Sequence, residues 1–209
     1  MTLKVSNLSC GFQNIPILSD ITFECPDGEI VILKGPNGIG KTTLLRCLAG
    51  LGYKLAGNFS LEKESIAYLG HLNGLNGNLS VFENLMFWKK IYGLKYVEDT
   101  VRAMNLNDIL YTQINTLSEG QQRMLSLSRI HLLQRKCWIL DEPMTSLDEK
   151  NLKIFYTVLE QHAKNNGIAI IATHQNITLP LVNIKEVNLD IYKKSSKNQL
   201  SQAKAEVII

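Results

Sequence analysis

The feature that most constrains this chain is an eight-residue stretch, Gly35-Pro36-Asn37-Gly38-Ile39-Gly40-Lys41-Thr42. A short, mostly apolar run, EIVILK from Glu29 to Lys34, precedes it, and KTTLLRCLAGL, with helical apolar spacing, follows it. The pattern G-x-x-x-x-G-K-[ST] between a strand and a helix is a phosphate-binding loop. Its glycines let backbone N–H groups turn inward around phosphate oxygens, and the helix start adds the positive end of a dipole. Lys41 can then reach the β- and γ-phosphates of a nucleotide, and Thr42 offers a hydroxyl to Mg²⁺. Residues 35–42 together with Thr43 form the expected ATP-contacting set. A glycine-rich turn holding a chance lysine fits this strand-loop-helix context poorly.

The rest of the chain is compatible with one large domain. Its 209 residues are 45% apolar and 20% charged, enough to bury a substantial core. The net charge of +3 is spread along the sequence, so no nucleic-acid partner is expected. Cys10, Cys25, Cys47 and Cys137 share no C-x-x-C spacing, which favours free thiols in a reducing compartment over a disulfide or metal set. No apolar run approaches the roughly 18 residues that span a bilayer. The opening MTLKVSNLSCGF lacks the plan of a signal peptide.

Leu3, Val5 and Leu8, then Ile21, Phe23 and Cys25, alternate with polar residues as half-exposed antiparallel strands do. Ile66–Leu69 is a further strand candidate. Cys137–Leu140 and Ile168–Ala172 are continuous apolar runs suited to strands buried on both faces. Ser80-x-x-Glu83 is a capping box opening a helix through Leu85, Met86, Trp88, Ile91 and Tyr92, closed by Gly93. Residues 97–110 are read as helical. Another helix follows Leu117, with Met124, Leu127 and Ile130 inward and Leu125 and Leu132 widening that face. The whole is an α/β domain, antiparallel at its beginning, with a helical insertion between about 75 and 115.

Two more motifs carry chemistry. In Cys137-Trp-Ile-Leu-Asp141-Glu142-Pro143 an apolar strand ends in adjacent carboxylates. Asp141 is placed toward a Mg²⁺ shell, and Glu142 is placed to polarise a water at the γ-phosphate and take its proton. In Leu117-Ser118-Glu119-Gly120-Gln121, Ser118 offers a hydroxyl and Gly120 a backbone N–H at a second helix start. LSEGQ resembles the signature sequence of ABC-type ATPases, usually LSGGQ. The resemblance implies a P-loop NTPase fold: an ABC nucleotide-binding domain with a RecA-like core, an antiparallel β subdomain and a helical subdomain over about 75–130. It implies an ATPase domain at 1–192 and a polar tail at 193–209. It also implies that Ser118, Gly120 and Gln121 of one copy complete the ATP site of a second copy in a homodimer.

Further positions follow the same pattern. Ser146-Leu147-Asp148 resembles the D-loop, His174 the switch histidine near the γ-phosphate, and Phe12 the aromatic that stacks on adenine. His131 and His162 match no motif. One position departs: after the Ile66–Leu69 strand most ABC ATPases carry a glutamine that touches Mg²⁺, and here His71 stands there, a poorer ligand for an ion that prefers oxygen. YLGH-x-x-GL, LSEGQQR with its Gln121-Gln122-Arg123, and WILDEP-x-x-x-LD resemble the ATP-binding subunit of the haem exporter of cytochrome c maturation. That likeness implies ATP hydrolysis coupled to haem export or release of a haem chaperone, integral membrane partner subunits, and a peripheral position on the cytoplasmic face of the inner membrane. Leu72, Leu75, Phe82 and Phe87 are the expected docking residues. The alternatives are an ABC exporter for another substrate, a soluble ABC ATPase acting on nucleic acid or ribosomes, and a small P-loop kinase; LSEGQ and His174 argue against the last.

Overall fold

The structure is a computed structural model that describes residues 2–193. The first two strands, β1 (Leu3–Phe12) and β2 (Ile15–Cys25), form an antiparallel sheet with β4 (Tyr53–Phe59), in the order β2-β1-β4. The apolar positions of β1 run Leu3, Val5, Leu8, Cys10, so the alternation slips by one residue after Val5. A bulge absorbs the slip: the pairing register shifts between Val5 and Leu8, and Asn7 takes φ 48°. All four apolar side chains are thereby buried. The bulge in turn demands Gly57 on β4, where a Cβ would lie 2.2 Å from the Asn7 carbonyl oxygen.

The second sheet is parallel and five-stranded. Its strands are β3 (Ile30–Lys34), β5 (Ile66–Leu69), β6 (Cys137–Asp141), β7 (Ile168–Ala172) and β8 (Ile184–Asn188), in the order β5-β6-β7-β3-β8. β6 and β7 are buried at every residue, which is why they read as unbroken apolar runs. Successive side chains go to opposite faces. Val31, Leu33, Cys137, Ile139, Ile168 and Ile170 pack with α1 (Lys41–Leu48) and the antiparallel sheet. Ile30, Ile32, Trp138, Leu140, Ala169 and Ile171 pack on the other face with the remaining helices.

Those helices are α2 (Val81–Tyr92), α3 (Glu98–Ala103), α4 (Glu119–Leu132) and α5 (Glu149–Lys164). The Ser80–Glu83 capping box forms in both directions, and Gly93 at φ 63° ends α2. Leu85 and Trp88 are buried, whereas Ile91 and Tyr92 are exposed. The stretch 97–110 is less helical than its pattern suggests. α3 stops at Ala103, Asn105 adopts φ 52°, and a 3₁₀ turn covers Asn107–Ile109. Asparagine tolerates the left-handed conformation, so the chain can turn there and still bury Met104 and Leu106. On α4, Met124, Leu125, Leu127, Ile130 and Leu132 all face the core. Of the proposed tail, Lys193 forms a bridge to Leu18; residues 194–209 lie outside the described residues.

Candidate nucleotide site at the carboxyl edge of the parallel sheet

In the sheet order, β6, β7 and β3 are consecutive. The residues that leave their C-terminal ends are Asp141 and Glu142, Thr173 and His174, and the loop from Gly35. Open α/β sheets bind ligands at this edge. The loop turns inward through Gly40 at φ 117°, where a Cβ would also lie 2.9 Å from Ile17. The Ile39 side chain is buried in the apolar cluster under the loop, and its N–H donates to the Pro36 carbonyl. Ile39 therefore anchors the loop, and only its backbone faces a ligand.

Lys41 is buried to 8% exposure. Its Nζ donates to the carbonyls of Gly35 (2.7 Å) and Pro36 (3.2 Å) and lies 3.0 Å from His174 Nε2. The same imidazole nitrogen is 2.7 Å from Asn37 Oδ1 and 3.7 Å from Glu142 Oε1. An ammonium can only donate, so an Nε2 facing Lys41 offers its lone pair. An Nε2 that carries a proton donates to Asn37 and stands beside the Glu142 carboxylate. The role of His174 Nε2 toward Lys41 and Asn37 therefore follows from its tautomer.

Thr42 Oγ1 donates to Asp141 Oδ2 at 2.7 Å, and Asp141 is buried. A hydroxyl and a carboxylate are hard oxygen donors. No group of three or more His, Cys, Asp or Glu side chains gathers among the described residues. That sparse oxygen set suits Mg²⁺, which keeps waters and phosphate oxygens in its shell and takes few protein ligands. Glu142 sits one residue past the strand at φ 46°, its N–H donating to the Ala172 carbonyl at the end of β7. Asn37, Gly38, Gly40, Lys41, Thr42, Thr43, Asp141 and Glu142 line one recess of about 350 Å³, with His71 at its margin. The His71 side chain is exposed, makes no side-chain hydrogen bond among the described residues, and lines both this recess and a neighbouring one with Asn73, Glu119, Arg123 and Ser146.

Other expected residues lie elsewhere. Phe12 is exposed, its ring edge-on to Tyr53 at 5.9 Å, and it lines a separate recess with Thr43, Arg46 and Tyr53. Thr43 is common to both recesses. Ser118, Gly120 and Gln121 are not part of the P-loop recess of their own chain. Ser118 Oγ accepts the Gln121 N–H at 3.2 Å, and Gln121 Oε1 accepts the Ser118 N–H at 2.9 Å. Gly120 packs under the D-loop segment, where a Cβ would come within 2.5 Å of the Ser146 carbonyl oxygen. Glu119 accepts a hydrogen bond from Ser146 Oγ. Of the docking residues, Leu72, Phe82 and Phe87 are exposed, but Leu75 packs against the core, because its loop folds back over α4. His131 bonds Thr100, and His162 stacks on Trp138 at 3.8 Å and bonds the Ile168 carbonyl.

Arg123, part of the LSEGQQR resemblance but not of the expected site, lies against the site's main chain. It is 4% exposed, on the first turns of α4, and burial pulls its guanidinium below the ordinary value while Asp141 and Glu142 oppose that. The available signal was a cation placed directly before the buried face that starts at Met124.

Comparison with known proteins agrees with this geometry. The ABC transporter family profile matches residues 18–145. The chain belongs to that family, as an ATP-binding and ATP-hydrolysing subunit. Among curated relatives, the cytochrome c biogenesis ATP-binding export protein CcmA of Roseobacter denitrificans is 43% identical over 179 residues, covering 86% of this chain and 87% of that protein. The protein of the same name from Aliivibrio fischeri is 34% identical over 201 residues, covering 90% and 98%. Among solved structures, an ABC transporter ATP-binding protein from Pyrococcus furiosus superposes with a TM-score of 0.81 at 26% identity, covering 93% of this chain and all of that one.

Proposed function

We propose that this chain is the ATPase subunit of a membrane complex for cytochrome c-type biogenesis, powering haem export or release of a haem chaperone. The observation that carries the catalytic part is the meeting of the Thr42–Asp141 pair with Lys41 and Glu142 in one recess, with His174 Nε2 within 3.0 Å of Lys41 and 3.7 Å of Glu142. The biological part rests on the likeness to the CcmA proteins over most of both chains.

In this reading Lys41 and the inward N–H groups of residues 35–43 hold the β- and γ-phosphates, and Phe12 stacks on adenine. Thr42 and Asp141 would hold Mg²⁺, directly or through water, and the bound ion would supply charge neutralisation at the phosphate oxygens. Glu142 accepts the proton of the attacking water as its oxygen bonds to the γ-phosphorus and ADP leaves. His174 contacts the γ-phosphate and orients that water. His71, an imidazole where an amide oxygen is usual, is a poor ligand for Mg²⁺. Ser118, Gly120 and Gln121 act on the nucleotide of a second copy, so the working unit is a homodimer. The helix carrying Phe82 and Phe87 in the 75–130 subdomain, together with the loop after His71 carrying Leu72, faces integral membrane subunits. Among the described residues no helix is long and apolar enough to cross a membrane, and the chain sits peripherally on the cytoplasmic face by binding those subunits.

Glu142→Gln tests the catalytic reading. The variant should bind ATP with near-normal affinity and hydrolyse it roughly 100-fold more slowly or worse. Cells relying on it should lose their c-type cytochromes. Normal turnover refutes the base assignment. Normal cytochromes alongside lost turnover point to an exporter for another substrate, and co-purification with RNA in place of membranes points to a soluble ABC ATPase.

A further inference from the structure

Glu142 is held at φ 46°, a backbone conformation that favours glycine, on a turn tied by its own N–H to the Ala172 carbonyl and by the Thr145 N–H to the Glu142 carbonyl. The side chain that adds to this is Arg123. Its Nη2 donates to the carbonyls of Asp141 and Glu142, both at 2.8 Å, and its Nε donates to the Pro143 carbonyl at 3.2 Å. Nη1 faces the other way, toward the Gly70 carbonyl (3.2 Å), the His71 carbonyl (3.4 Å) and Asn73 Oδ1 (3.1 Å). The five guanidinium N–H groups are thus spread over six acceptors in two loops, with no carboxylate in direct contact. A buried cation bound only by carbonyl and amide oxygens gains little as an ion pair. What the planar fork supplies is geometry, since its donors are fixed relative to one another.

We infer that Arg123 is a positioning residue for hydrolysis: it holds the 141–143 turn and the 70–73 loop in one register, and so sets where the Glu142 carboxylate stands. The loop on its far side carries His71 at the margin of the recess and Leu72 at 82% exposure. The fork is therefore a rigid link, one guanidinium wide, between an exposed loop and the catalytic turn. It grows from α4 two residues after Gln121, so the helix that begins at Ser118 is tied to the same point. The inference rests on Glu142 as the base.

The test is steady-state ATP hydrolysis by the full chain carrying Arg123→Lys and, separately, Asn73→Ala, with binding of a fluorescent ATP analogue measured beside it. Lysine keeps the charge and loses the fork. Arg123→Lys should lower kcat about tenfold or more while KM and analogue affinity stay within about threefold. Asn73→Ala removes one acceptor and should lower kcat alone, by a smaller factor. Unchanged kcat in Asn73→Ala and Arg123→Lys overturns the inference. So does loss of analogue binding in step with kcat, which marks a purely structural role. If Arg123→Lys does not fold, Asn73→Ala decides by the same kcat-against-KM criterion. Glu142→Gln is run in parallel. Normal turnover there means that the assignment of Glu142 has failed; an inert Glu142→Gln with a normal Arg123→Lys means that only this inference has failed.

Discussion

At the scale of single residues, legibility followed distance along the chain. Gly35 to Thr43 could be read because the loop's groups are contiguous and each has a fixed job toward phosphate. Asp141 and Glu142 could be read because a buried strand must end before two carboxylates reach water. Arg123 could not be given a role, since its acceptors lie 18 to 53 residues away and all but the Asn73 amide belong to backbone, which every residue carries. Leu75 misled for a related reason: an apolar residue in a polar loop reads as exposed until the loop's path is known. His162 gives a pH prediction away from the site. Burial is the main cause that pulls it down to about 4. The unfolded chain therefore binds an extra proton between about pH 4 and 6.5, and stability falls as pH drops through that window. Between pH 7 and 5 this group should remove about 2 kcal/mol. Urea titrations should show that loss, and His162→Phe, which keeps a ring against Trp138, should show a flatter dependence. Equal slopes would remove His162 from the account.

At the scale of elements, apolar periodicity located the strands and the longer helices, because it records which face is buried. It was less able to say where an element stops. The stretch 97–110 has enough buried apolar residues for a longer helix, yet the left-handed Asn105 breaks it after Ala103. Capping chemistry was more exact. The reciprocal Ser80–Glu83 bonds, with Ser80 N to Glu83 Oε2 at 2.7 Å, fix the start of α2. Ser80→Ala should cost about 1 kcal/mol, read as a lower urea midpoint with an unchanged slope. The shift in melting temperature should be about 2–4 °C for a domain of this size. ATP affinity should stay unchanged, because α2 is remote from the recess. A change in the slope would instead mean that the cap alters the unfolded state or breaks two-state unfolding.

At the scale of the whole molecule, the two helix starts that carry anion-binding signals are separated. Lys41 opens α1 inside the P-loop recess, while Ser118 opens α4 outside it, where Glu119 and Gly120 meet Ser146. A sequence shows that both exist but not that one chain cannot bring them together; that needed the sheet order and the packing of α4. In the proposed homodimer each chain holds half of two sites. That arrangement is tested most directly by ATP hydrolysis in a mixture of Lys41→Ala and Ser118→Arg chains. Alone, each variant should be nearly inert. Mixed, they form one intact site from the P-loop of the Ser118→Arg chain and the signature of the Lys41→Ala chain, and hydrolysis should return to a substantial fraction of the unmodified rate. Full hydrolysis by Ser118→Arg on its own, or no recovery in the mixture, would contradict the account.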